Sequence, residues 1–150
     1  MRRTKFSHGK FEPKNKKKYI GTYPIKYRSS WELVMMNMLD RNENVIYWAS
    51  ESIKIPYMNP LTGKATIYVP DFFMHYIDAQ GKKHNELVEI KPMNQTLNEK
   101  ARGIKNKIAL AINKAKWSAA NKWAQKKGWR FRVITEADMF LQATGQKKKK

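Results

Sequence analysis

The sequence predicts a mixed α/β domain, with a mixed central sheet and helices on both sides. Three observations carry that prediction. An apolar helical pattern precedes a group of short strands, a long helical pattern follows them, and one more strand with a short helix closes the order α-β-β-β-β-α-β-α. The 150 residues suit one ordinary domain. With 41% hydrophobic residues, including five Trp, seven Tyr and six Phe, a core can form without disulfides or a structural metal. The expected organisation is a flexible basic arm over 1–18, a single domain over 19–146 and a basic tail over 147–150.

Each element has a local reason. The first helix runs from Ser29 to about Asn42 and opens with Ser29-Ser30-Trp31-Glu32, a capping-box pattern. Trp31, Val34, Met35, Met38 and Leu39 form one face, and Leu33 and Met36 widen it, so more than one side is buried. Val45 to Ala49 can add a short strand to that order. Ser52 to Met58 and Ala65 to Val69 read as strands joined by Asn59-Pro60-Leu61-Thr62-Gly63-Lys64, which has the turn residues of a hairpin. Pro70 interrupts, and Asp71 to Tyr76 continues extended. Asp78-Ala79-Gln80-Gly81 is a turn, and Glu86 to Lys91 is a core strand ended by Pro92. From about Leu97 to Lys127 the spacing of Ile104, Ile108, Ala111 or Ile112, Ala115, Ala119 and Trp123 is helical, and Gly128 closes it. Asn113 offers a break in that helix. Trp129 to Ile134 alternates as a strand, and Thr135 caps a final short helix.

Charge narrows the function. Lys and Arg number 31 against 12 acids, a net charge of +19. A domain this basic repels itself unless it meets a polyanion, and nucleic acid is the leading partner. A membrane surface suits it less, because no helix pairs a strong apolar face with a basic one. No apolar run approaches the roughly 18 residues of a membrane span. Met1-Arg2-Arg3 is not followed by an apolar signal core, so intracellular synthesis is expected. The absence of cysteine excludes thiol nucleophiles and cysteine-type zinc sites. His8, His75 and His84 lack ligand spacing, and there is neither a Gly-rich phosphate loop nor a nucleophile elbow.

The charge is uneven. Residues 1–18 carry eight bases against Glu12, and residues 99–132 carry eleven against Glu99. Residues 32–98 instead hold eight acids against six bases. Of these acids, Asp40, Glu43, Glu51 and Asp78 read as solvated surface carboxylates. Others sit in apolar surroundings, where a charge needs a reason. In Leu87-Val88-Glu89-Ile90-Lys91, strand alternation puts Glu89 and Lys91 on one face and Val88 and Ile90 on the other. Asp71 is flanked by Val69, Phe72, Phe73 and Met74, and an adjacent strand can bring it beside Glu89. Two such carboxylates repel, and a hard divalent cation relieves the repulsion. Oxygen ligands favour Mg²⁺ or Mn²⁺ over zinc. Simpler readings stand beside this one. Glu32 can complete the capping box, Asp71 after Pro70 can be a turn acid, and Glu89 with Lys91 can be an exposed pair. Their joint occurrence in this charge pattern favours a site.

Pro70-Asp71 followed by Glu89-Ile90-Lys91 resembles the PD-(D/E)XK nuclease motif. Flanking segments sharpen it: Tyr27-Arg28-Ser29-Ser30-Trp31-Glu32, Tyr68-Val69-Pro70-Asp71-Phe72, Val88-Glu89-Ile90-Lys91-Pro92, and Asn113-Lys114-Ala115-Lys116-Trp117 leading to Ile134-Thr135-Glu136. They look like the phage head completion nucleases of the T-even type, over about residues 19–138. The transposon end-cleaving nucleases are similar across the same core. Residues 97–112 match nothing specific.

The resemblance implies a restriction-endonuclease-like αβββαβ core and hydrolysis of DNA phosphodiesters. Asp71 and Glu89 would bind Mg²⁺, with Mn²⁺ able to substitute, and the Ile90 backbone carbonyl would be a third ligand. Lys91 would orient the attacking water or stabilise developing phosphate charge. Glu32 would hold a second metal or position the water. Arg28 and Lys116 are candidate phosphate contacts, and Lys16, Lys17 and Lys18 belong to an arm that would grip the backbone without reading sequence. The implied task is finishing packaged DNA before neck attachment, with capsid, portal or neck proteins as partners and no membrane. It would take place in the host cytoplasm during assembly, or with the protein carried in the virion. The rival reading is a non-catalytic basic nucleic-acid-binding or capsid structural protein. It accounts for the charge but not for two acids and a lysine on apolar strands.

Overall fold

The computed structural model describes residues 8–91, 103–135 and 138. The elements are β1 (Gly9–Phe11), β2 (Ile25–Tyr27), α1 (Ser30–Arg41), β3 (Val45–Ser50), β4 (Ile55–Met58), β5 (Ala65–Tyr68), β6 (Phe72–Ile77), β7 (Lys83–Ile90), α2 (Ile104–Lys127) and β8 (Arg130–Ile134). The central sheet has the order β3-β6-β7-β8. β3, β6 and β7 pair antiparallel, while β7 and β8 pair parallel. A parallel pair needs a long crossover, and α2 supplies it. This is the mixed sheet expected from the sequence, in a restriction-endonuclease-like arrangement. Among the described residues, no helix is long and apolar enough to cross a membrane.

Strand alternation sorts the core into two layers. On one face α1 sets Met35, Met36 and Leu39 against Trp48, Phe72, Met74, Val88 and Ile134. On the other, α2 sets Ala120 and Trp117 against Phe73, Leu87 and Phe131. The β4–β5 hairpin leaves the sheet and joins this second layer through Ile55 and Tyr68. α2 runs unbroken through Asn113, because its buried side, and not local propensity, fixes its course. Its expected start near Leu97 lies outside the described residues, as does the tail at 147–150. Of the final helix only Asp138 is described, and its carboxylate accepts from the Thr135 N–H at 2.9 Å, as a capped helix start requires.

The flexible arm expected over 1–18 needs correction from Gly9 onward. β1 pairs with β2, a strand the sequence did not announce, and Lys16–Lys18 form a 3₁₀ turn. Phe11 and Tyr19 are buried, with ring centroids 5.9 and 4.7 Å from Trp48. Lysine density hid these sparse anchors. Lys10, Lys14, Lys16 and Lys17 are exposed, while Phe11 and Tyr19 bind the segment to the core.

Asp40 was expected at the surface and is 2% exposed. Its carboxylate accepts from Lys14 N at 2.9 Å and Asn15 N at 3.1 Å. Lys18 Nζ donates to the Asp40 and Asn42 carbonyls, both at 2.8 Å, at the negative end of the α1 dipole. Burial pulls the Lys18 pKa down, and the Asp40 charge opposes that. Asp40 therefore ties the basic segment to the end of α1. Asp40→Ala should lower unfolding stability by about 2–3 kcal/mol, the scale of hydrogen bonds to a buried charge. Urea unfolding at neutral pH checks it, and a loss within error of zero would show that the clamp is not used.

Candidate active site

The site forms where β6 begins and β7 ends. Pro70 has no N–H for a ladder, so the chain enters β6 one residue later and leaves Asp71 at its mouth. Phe72 is 1% exposed and holds that entry in the core, while the Asp71 carbonyl accepts from Glu51 N at 2.9 Å. Phe72 pairs with Val88, so Asp71 lies opposite Glu89 on the neighbouring strand. The Ile90 N–H donates to Asp71 Oδ2 at 2.8 Å. Tyr68, at the end of β5, donates its O–H to Glu89 Oε1 at 2.7 Å.

Two carboxylates in this setting perturb each other. Burial raises the Asp71 pKa first and the Glu89 charge raises it further, with Glu32 adding to both, to about 7. The Ile90 N–H and Arg28 oppose the shift. Glu89 is also raised, mainly by burial, while Tyr68, Lys116 and the Asp71 N–H pull it down. Lys91 is 5% exposed. Its N–H donates to the Ile134 carbonyl at 2.8 Å, which fixes the strand end, and burial lowers the pKa of its ammonium.

The other candidates separate by position. Glu32 serves the start of α1. Its N–H donates to Ser29 Oγ at 3.1 Å, and its carboxylate folds back to accept from Arg28 N at 2.9 Å, still within electrostatic reach of Asp71 and Glu89. The exposed Arg28 guanidinium pairs with Glu51, which is thus an ion-pair partner at the site's edge. Lys116 acts electrostatically on Glu89, with its ammonium 5.7 Å from the Tyr68 ring centroid. Lys16, Lys17 and Lys18 do not join the site. Lys18 caps the far end of α1, about 12 Å along the axis from Glu32 at a rise of about 1.5 Å per residue. Tyr68 and Trp117 are contacts to which the sequence reading gave no site role. The one signal for Tyr68 was a polar-tipped aromatic at the end of a strand beside Pro70-Asp71.

The donor set is all oxygen. Two adjacent carboxylates, each disfavoured in its charged form, suit a hard divalent ion that takes one or two carboxylates and completes its shell with water or phosphate oxygens. Among the described residues no group of three or more His, Cys, Asp and Glu gathers into a metal site, so Glu32 does not close onto the pair.

A mixed sheet carrying two acids and a lysine at adjacent strand ends defines a nuclease-type α/β domain. Residues 42–136 match the TnsA-like endonuclease N-terminal family, and the chain belongs to it. It is also 36% identical, over 136 residues, to the head completion nuclease of Enterobacteria phage T4, covering 85% of this chain and 90% of that one. Asp71, Glu89, Lys91 and Lys116 fall inside the family match, whereas Arg28 and Glu32 precede it. The chain is a nuclease by this relationship.

The raised Asp71 pKa gives stability a pH dependence of definite sign. The folded chain keeps that proton up to about 7, while the unfolded chain releases it near the ordinary 3.8. Between those values the folded state binds more protons, so stability falls as pH rises, and the penalty is complete above the folded pKa. Asp71→Asn should therefore be more stable than the wild type at about pH 8 and approach parity near about pH 4. Denaturant unfolding in EDTA at both pH values measures this. A gain independent of pH would place its cause elsewhere.

Proposed function

We propose that this nuclease is a divalent-metal-dependent deoxyribonuclease that hydrolyses phosphodiester bonds and acts in phage head completion. The observation that carries the chemistry is Asp71 beside Glu89, with Lys91 on the same strand face. Asp71, Glu89 and the Ile90 backbone carbonyl are the groups that would hold Mg²⁺ or Mn²⁺. Such an ion, when bound, supplies Lewis-acid polarisation of the scissile phosphate. Lys91, two residues on from Glu89, would supply positive charge where charge develops on the phosphate oxygens. Glu32 would orient a water from the α1 side. The proposed biological task, finishing packaged DNA before neck attachment, rests on likeness to the phage T4 protein.

DNA grip is assigned to α2, with Arg28 at the site's edge and Lys16 and Lys17 on the remote basic turn. α2 has lysines at 105, 107, 114, 116, 122, 126 and 127 and no acid. Lys105, Lys116 and Lys127 recur every eleven residues, close to three turns, so they form one stripe about 33 Å long. That spans roughly ten base pairs of duplex and suits backbone contacts that read no sequence.

Purified protein should cut linear and circular DNA in Mg²⁺ or Mn²⁺ and stop in EDTA. Asp71→Ala, Glu89→Ala and Lys91→Ala should each lower cleavage about 100-fold or more. For the two acid variants, DNA affinity in EDTA should hold or rise, because a negative charge near the phosphate is removed. Normal cutting by these variants would show the site to be wrong. Binding without cleavage of any DNA form would favour the structural rival.

A further inference from the structure

We propose that Tyr68 and Trp117 are positioning residues for the nuclease site, one setting the Glu89 carboxylate and the other the Lys91 ammonium. The proposal rests on the assignment of Glu89 and Lys91 to that site.

Tyr68 is 4% exposed and ends β5, packed against α2. Its 2.7 Å bond to Glu89 Oε1 is a phenol donating to a carboxylate, a charge-assisted contact with strict direction. Burial and the Glu89 charge raise the Tyr68 pKa, and the neighbouring Trp117 side chain opposes that rise. Trp117 is also the ring against which Lys91 rests, with Nζ 4.8 Å from the centroid. Such a contact attracts the ammonium to the ring face. One indole thus lies beside both arms of the site: it neighbours the Tyr68 side chain that holds Glu89, and its face holds Lys91.

The chemistry favours positioning over mere packing. Phenylalanine would fill the same space beneath Lys116 without burying a hydroxyl that needs a partner. A Glu side chain has three free torsions, and this bond fixes its head at the end of β7. Helix α2, which carries Lys116 next to Trp117, is thereby tied to Glu89 and Lys91 at the end of β7.

Tyr68→Phe and Trp117→Phe test this in the full-length chain, because both keep an aromatic ring. Tyr68→Phe should lower kcat about 10–100-fold, the usual effect of losing a partner that orients a metal ligand. KM for DNA and the melting temperature should stay near wild type. Mn²⁺ affinity, titrated calorimetrically into DNA-free protein, should fall at least about tenfold. Trp117→Phe, which loses the N–H but keeps a face for Lys91, should lose less kcat than Trp117→Leu, which loses both. If Tyr68→Phe and Trp117→Leu match wild type in kcat and Mn²⁺ affinity while Glu89→Ala and Lys91→Ala are dead, the positioning role is wrong and the site stands. If Glu89→Ala and Lys91→Ala cut normally, the site and the positioning role fall together.

Discussion

Placing Asp71 beside Glu89 at the end of a buried strand pair is the constraint on which the rest of the structure depends. Two charges so close and so shielded from water are unfavourable without compensation. The fold compensates with donors that only a fixed register can deliver. Ile90 N–H serves Asp71, and Tyr68 O–H serves Glu89. A slip of one residue between β6 and β7 would turn Glu89 into the α1 layer and strand both acids. The apolar residues beside the site prevent that slip. Phe72 and Val88 are committed to one face, Phe73 and Leu87 to the other.

The surrounding elements each hold one part of this arrangement. β8 pairs with β7 and receives the Lys91 N–H through Ile134, so the strand end cannot fray. α1 brings Glu32 and Arg28 to the near side, and its far end is tied down by Asp40 and Lys18. α2 makes the crossover and carries Lys116 and Trp117 to the other side. The Asp71–Glu89 pair thus sits within a chain of net charge +19.

Much of the site was legible because strand periodicity is local. Glu89 and Lys91 share a face in any strand, and an acid after Pro70 in an apolar run asks for a partner. Tyr68 was visible as a residue but not as a ligand to Glu89, since they are 21 positions apart and meet only through the hairpin's return. Trp117 is partly buried in the α2 layer, and its ring face meets Lys91 across 26 positions of sequence. Glu32 shows the capping reading in the structure: its N–H meets Ser29 Oγ and its carboxylate accepts from Arg28 N.

The sequence by itself determined the succession of helix, strands, long helix and strand from α1 onward, the polyanion preference and the acid-x-Lys face. These follow from spacing and charge, which do not depend on what the chain later meets. Tertiary structure alone decided the fate of residues 9–18, the burial of Asp40 and the union of Tyr68, Trp117, Glu89 and Lys91. A lysine-rich segment with few aromatics looks soluble until a core exists to receive them. A carboxylate looks solvated until a distant backbone turn brings N–H donors to it. Both outcomes depend on contacts made across long sequence separations, which no local pattern encodes.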